Sequence, residues 1–157
     1  MVALSREALQ QVRDAVSGYR HPTLATELSA AQIALKAAGI DVDVRQGIGA
    51  LDRESEAVLG WVIREATTNV IRHSGARHCQ ISLCETDGQL QVEVLNDGWR
   101  VGQTPAGNGL RGLQERLAAI GGTLEASPLP ESGFRLRATI LESTSSGSVR
   151  NAAEVVA

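Results

Sequence analysis

The sequence predicts an α+β fold, a two-layer α/β sandwich in which helices group against a mixed, mostly antiparallel sheet, and three observations predict it. Helix-like and strand-like stretches run in the order two helices, strand, helix, two strands, loop, helix, two strands, which is not the regular alternation of a doubly wound sheet. Asp87-Gly88 stands between two apolar runs as a tight-hairpin signal, so those strands are antiparallel neighbours. At 157 residues the chain suffices for one core of ordinary size and not for two.

Each element has its own signal. Leu4 to Val16 carries a helical apolar stripe that stops at Gly18-Tyr19-Arg20-His21-Pro22. Thr23 caps a second helix through Ala38, with Leu24, Leu28, Ala31, Ile33, Leu35 and Ala38 apolar and Gly39 closing it. Ile40-Asp41-Val42-Asp43-Val44 alternates strictly and reads as a strand with one wet face. Asp52 caps the longest helix, which runs to about Ser74 and ends at Gly75, with a core stripe of Val58, Leu59, Val62, Ile63, Ala66 and Val70. Strands follow over Arg77 to Glu85 and Gln89 to Leu95. The stretch Asn96 to Gly109 has no periodicity and reads as a loop. Leu110 to Ile120 returns to helix before Gly121-Gly122, and Thr123 to Ala126 pairs with Phe134 to Leu141 as a closing hairpin. From Ser143 the chain is rich in Ser, Thr, Gly and Asn and reads as a disordered tail.

Composition excludes several classes of function. Aromatic residues make up 3% of the chain, so the core is built of Leu, Val, Ile and Ala, and no aromatic platform for single-stranded nucleic acid is available. A formal net charge of -3 supplies no basic field for DNA, RNA or anionic lipid, and any bound anion must be captured locally. No apolar run approaches a membrane span, and Met1 to Gln10 lacks the apolar segment of a signal peptide, so a cytoplasmic location is expected. Cys79 and Cys84 fall on opposite faces of one strand, cannot pair locally, and read as reduced thiols.

Three short stretches carry candidate chemistry. Glu65 and Asn69 are one helical turn apart, with Arg72 and His73 on the next turn, all bordering the apolar stripe. An Asn carbonyl suits Mg²⁺, which takes few protein ligands and keeps waters and phosphates, while Glu65 can orient a nucleophile or take its proton. An exposed polar pair is the plain reading of the same residues. Asn96-Asp97-Gly98 stands where a strand enters the loop, and in isolation it is a turn. Gly107-Asn108-Gly109-Leu110-Arg111-Gly112 opens a helix whose free N–H groups suit phosphate, with Arg111 nearby. Its spacing also matches a dinucleotide-binding fingerprint. That fingerprint belongs directly after a strand, whereas here a long loop intervenes.

Taken in order, these stretches resemble a known family. Arg64-Glu65-Ala66-Thr67-Thr68-Asn69-Val70-Ile71-Arg72-His73-Ser74-Gly75-Ala76 resembles the N box of NarL/DesK-type sensor histidine kinases, within the GHKL ATPase superfamily. Gly107 to Leu117 with Gly121-Gly122 resembles the second glycine box of that family and its helix, and the likeness extends over about residues 1 to 141. The resemblance implies the Bergerat sandwich, with ATP and Mg²⁺ as ligands. It implies Asn69 on Mg²⁺, Glu65 as the catalytic residue at the γ-phosphate or incoming histidine, and Arg72 and His73 near the phosphates. It implies a lid over Trp99 to Ala106, with Gly107, Asn108, Gly109, Leu110 and Arg111 around the phosphates.

In the family's first glycine box, the adenine-reading position falls on Asn96 rather than Asp97, followed by Gly98, and Arg100 stands where a second glycine is usual. An amide oxygen there can still accept from an adenine amino group. The implied organisation is a dimerisation-helix remnant (1–18), a linker helix (19–39), an ATP-binding catalytic domain (40–142) and a tail (143–157). The phosphoacceptor histidine is expected outside this chain, on the dimerisation and phosphotransfer domain of a parent whose membrane attachment stays open, with a response regulator downstream. Three readings stay open beside it: a GHKL serine kinase acting on a sigma-factor switch, a nucleotide-binding module without transfer, and an interaction domain with no nucleotide.

Overall fold

The computed structural model describes residues 23–98 and 107–141, so the expected first helix, the lid and the tail lie outside the described residues. The elements are α1 (Leu24–Ala37), β1 (Asp41–Gly47), α2 (Arg53–Asn69, continued by a wider turn over Val70–Ser74), β2 (His78–Thr86), β3 (Gln89–Asn96), α3 (Asn108–Ala119), β4 (Thr123–Pro128) and β5 (Phe134–Leu141). Expected and observed boundaries differ by no more than three residues at any strand or helix end.

The strands form one sheet in the order β1-β2-β3-β5-β4. Only β1 and β2 run parallel, joined through α2 as a crossover, and the remaining neighbours are antiparallel. Asp87 and Gly88 both take positive φ, 52° and 73°, the left-handed pair a two-residue hairpin requires. Register follows the alternation. Ile81, Leu83, Val92, Val94, Leu136, Ala138 and Ile140 turn to one face, where all are buried. The other face carries polar side chains, including Glu93 directly opposite Arg137, which donates to it at 2.6 Å.

Helices α1, α2 and α3 cover the buried face. The expected stripe of α2 is buried throughout, with Leu59, Val62 and Ile63 fully enclosed. One expectation in α1 fails. Ile33 is 71% exposed because it lies about 180° around the helix from the buried row Leu24, Leu28, Ala31 and Leu35, and Ala38 is exposed at the cap.

Caps and cross-links then fix the helices that bear the site. Asp52 accepts from the Ser55 N–H at 2.8 Å, and that bond, followed by one from the Ser55 hydroxyl, holds the Asp52 carboxyl below the usual carboxylate range. Arg64 pairs with buried Glu27, tying α2 to α1. The same guanidinium lies 4.7 Å from the Trp61 ring centre, and Arg116 of α3 lies 4.9 Å from it. Trp61 is thus flanked by cations from two helices, each contact contributing about 0.5–1 kcal/mol.

Candidate nucleotide site

The site assembles where the last turns of α2, the end of β3 and the start of α3 meet. Glu65 and Asn69 occupy the margin of the α2 core stripe and are half-buried, as their angular position dictates. After Asn69 the helix widens to i→i+5 bonding over Val70–Ser74, and the Ser74 hydroxyl donates back to the Val70 carbonyl. More residues per turn swing the following side chains outward, so Arg72 and His73 are exposed. Among the described residues, Glu65, Asn69, Arg72 and His73 make no side-chain hydrogen bond or ion pair.

Two glycines bring the three stretches into contact. A Cβ on Gly98 would fall on the Ser74 carbonyl oxygen and within 2.7 Å of the Ala76 backbone, so the turn after β3 lies directly against the end of α2. A Cβ on Gly109 would fall inside the Glu65 carboxyl group. Glu65 therefore reaches across from α2 to the first turn of α3. That turn starts at Gly107, which provides no side-chain cap, and its first helical bond is Arg111 N–H to Gly107 C=O at 3.4 Å. The N–H groups of Asn108, Gly109 and Leu110 precede that bond and lack carbonyl partners within the helix, the arrangement that receives phosphate oxygens.

The remaining expected residues divide by position. Asn96 ends β3 and is buried, and its Oδ1 accepts from the Gly98 N–H at 3.0 Å. Asp97 is exposed and turns away, accepting from Arg77 N–H at 2.8 Å and His78 N–H at 3.0 Å. Burial works to raise its carboxyl pKa, but those backbone donors and the His78 charge outweigh it and hold the group below its ordinary value. Its carboxylate fixes the start of β2, a role no local sequence signal shows. Arg111 is exposed with its guanidinium against Glu115 at 3.5 Å, an i,i+4 pair on the α3 surface. Asn108 is exposed and Leu110 half-buried.

A depression of about 400 Å³ opens at the same end of the sheet, over Asp41, Asp43, His78, Gln80 and Leu95. It shares Asn96 and Asp97 with the site but contains neither Glu65, Asn69 nor the start of α3, so it is a separate feature. The Trp61 cluster and the Glu27–Arg64 pair were also missed. The helical period sets Trp61 off the core stripe, but it does not show that Arg116 of another helix comes to the ring.

A mixed five-stranded sheet covered by three helices is a fold this chain shares with histidine kinase catalytic domains. The histidine kinase domain of the blue-light activated kinase EL346 from Erythrobacter litoralis superposes with a TM-score of 0.65 at 19% identity, covering 82% of this chain and 68% of that one. The catalytic domain of the histidine kinase ThkA gives 0.60 at 16% identity, covering 76% of this chain and 94% of that domain. In sequence, the chain is similar to the sensor histidine kinase YvfT of Bacillus subtilis, 34% identical over 130 residues. That match covers 81% of this chain and 35% of YvfT, so the chain spans about a third of that relative. No family model matches the chain.

Proposed function

We propose that this chain is the ATP-binding catalytic domain of a two-component sensor histidine kinase, presenting Mg-ATP for phosphoryl transfer to a histidine outside it. The observation that carries the reading is the contact of Glu65 with Gly109. It brings a half-buried carboxylate and, one turn on, an uncommitted Asn69 amide to an uncapped helix N-terminus. The residues fit a metal-bound triphosphate: phosphate oxygens meet the free N–H groups of α3, and a hard cation meets the Asn69 carbonyl oxygen. Among the described residues no group of three His, Cys, Asp or Glu could hold a metal, and we assign the protein's share of coordination to the Asn69 carbonyl oxygen. Mg²⁺ supplies charge neutralisation between the phosphates when bound.

The chain's own residues then have distinct work. Glu65 is placed to orient the incoming histidine and accept its proton. Arg72 and His73, exposed at the wide turn, are free to approach the phosphates, and Gly107 to Leu110 hold them. The base end lies at Asn96 and Gly98, whereas Asp97 and Arg111 are committed to β2 and Glu115. The histidine belongs to the parent's dimerisation and phosphotransfer domain, a response regulator acts downstream, and the chain works on the cytoplasmic side. Among the described residues no helix is long and apolar enough to cross a membrane.

Calorimetric titration with ATP, with and without Mg²⁺, tests the reading. Binding is expected to need Mg²⁺ for full affinity, and Asn69→Ala should lose that dependence while its melting temperature stays within about 1–2 °C, since the side chain makes no hydrogen bond or ion pair among the described residues. Unchanged Mg-dependent affinity in Asn69→Ala would remove the metal assignment. The isolated chain should show negligible labelling from γ-labelled ATP, with transfer appearing on a separately supplied histidine hairpin. Labelling of a partner serine instead would select the serine-kinase reading.

A further inference from the structure

We infer that the open edge of β1 is a self-association surface, on which a second copy of this chain adds its own β1 antiparallel across a two-fold axis at Val44. The inference is independent of the nucleotide reading. β1 ends the sheet and is paired on one side only, with β2. The Asp41 N–H donates to the Arg77 carbonyl at 2.8 Å, and in a parallel ladder that assigns the backbone groups of Asp41, Asp43 and Arg45 to β2. Those of Val42, Val44 and Gln46 therefore point off the sheet, and among the described residues no other group bonds to them. An edge of this kind is a template for another strand.

The side chains decide which strand it takes. Asp41, Asp43 and Arg45 stand on the polar face of the sheet, and the Asp43 and Arg45 side chains are 61% and 70% exposed, paired with each other at 3.2 Å. With the axis at Val44, that residue pairs with its own copy and Val42 pairs with Gln46, so each hydrogen-bonded position of the new ladder falls on an outward-pointing residue. Between them, Asp43 lies opposite the copy's Arg45, and Arg45 opposite the copy's Asp43. These are the positions without hydrogen bonds, where facing side chains come closest. Asp41 meets Gly47 and no charge. Val44 is half-buried on the helix-covered face, and its copy covers the part left open.

Charge then fixes the register. Slid by two residues one way, the strands set Asp43 against its own copy; slid by two the other way, they set Arg45 against its own copy. A slide of four in the first direction sets Asp41 against Asp43. Like charges directly opposite destabilise a strand pair, and the Val44 register alone brings opposite charges together with no like pair. The far edge of the sheet offers no such match. β4 carries a single charge, Glu125, which lies 3.9 Å from Arg137, and the strand ends at Pro128, which has no N–H. Charges on an edge ordinarily repel foreign strands, and the order Asp-x-Arg does so while remaining complementary to its own reverse. A single strand pair buries less than a standard interface, so the dimer is weak between free copies and strengthens where copies are tethered together.

Sedimentation velocity of the full chain from about 10 µM to about 1 mM tests the pairing, the upper limit being the effective concentration a short tether supplies. The native chain is expected to show a monomer to dimer equilibrium that weakens with added salt. Arg45→Asp makes the facing positions all acidic and Asp43→Arg makes them all basic, so each variant alone should dimerise at least about tenfold more weakly, symmetry counting each substitution twice. Mixed in equal amounts, the two variants should form a heterodimer at least as strong as the native dimer, since every facing pair is then Asp on Arg. Both positions are exposed, and melting curves confirm that the variants fold. A native chain that stays monomeric at about 1 mM overturns the inference and leaves the edge to a strand of other origin. Dimerisation unchanged in the single variants, or a mixture that associates no better than its parts, overturns it as well.

Discussion

Gly109→Ala separates the catalytic geometry of this site from its stability. The added Cβ lands in the Glu65 carboxyl group, which is the far end of a flexible side chain, so the carboxylate is displaced and the backbone of α3 is not. Gly109 is the second residue of α3, where replacing glycine by alanine favours the helix by up to about 1 kcal/mol. Moving one half-buried carboxylate with no ion pair among the described residues costs a few tenths to about 1 kcal/mol, so the two contributions nearly cancel. Gly98→Ala is the contrast. Its Cβ meets the Ser74 oxygen and the Ala76 backbone, neither of which can turn aside, and overpacking against main chain costs about 1–3 kcal/mol. Thermal melts should therefore leave Gly109→Ala within about 3 °C of the native chain and lower Gly98→Ala by about 4 °C or more. In transfer assays with a separately supplied histidine hairpin, Gly109→Ala should keep Mg-ATP affinity within about threefold yet lose about a hundredfold in rate, the usual worth of a positioned base. A Gly109→Ala variant that transfers at the native rate while Glu65→Ala does not would refute the assignment of that contact to catalysis.

Other expectations follow from the titrating and thiol groups. Asp97, with its carboxyl held below the ordinary value, contributes stability that is present above the unfolded-state pKa near about 4 and is lost as pH falls through the lower folded-state value. The stability difference between native chain and Asp97→Ala should thus shrink on acidification below about pH 4, and a difference that grows there would contradict the sign. Burial, with the charge of Asp97 adding to it, pushes the Cys79 thiol up to about 12, whereas Cys84 is exposed on the polar face. Alkylation of the folded chain at pH 8 should mark Cys84 alone, with Cys79 reacting after denaturation; mass mapping of the adduct checks it. Trp61→Ala should destabilise by about 2–4 kcal/mol in denaturant unfolding, since it removes ring burial and two cation contacts together, and Arg64→Lys should lose only part of this.

What the sequence made legible was whatever is governed by period and by backbone exceptions. The α2 stripe, the Asp87-Gly88 turn and the alternation of β2, β3 and β5 each depend on neighbours a few residues away, and each matches the structure to within three residues at its ends. The sheet order and the parallel pairing of β1 with β2 emerge only from the structure. The failures are of another kind. Ile33 was counted by apolarity where angle decides, and His73 was placed by ideal helical geometry where the widened turn overrides it. The role of Asp97 at the start of β2 was not legible, because Arg77 and His78 come to it only through the fold.

The same distinction explains why two glycines here carry more information than the polar residues around them. A Glu and an Asn one turn apart on a helix are ordinary solvated surface, and an uncapped helix start is common. Glycine at position 109 is needed only because Glu65 stands where its Cβ would be, and glycine at 98 only because α2 ends against it. Each absence of a side chain records a contact between segments distant in sequence. Those contacts bring three weak local signals onto one surface, with a carboxylate and an amide at one side and helix-start N–H groups at the other. A larger residue at 109 would displace the Glu65 carboxylate and one at 98 would press on the end of α2, so the chain would keep its sheet and its core while the site lost its geometry.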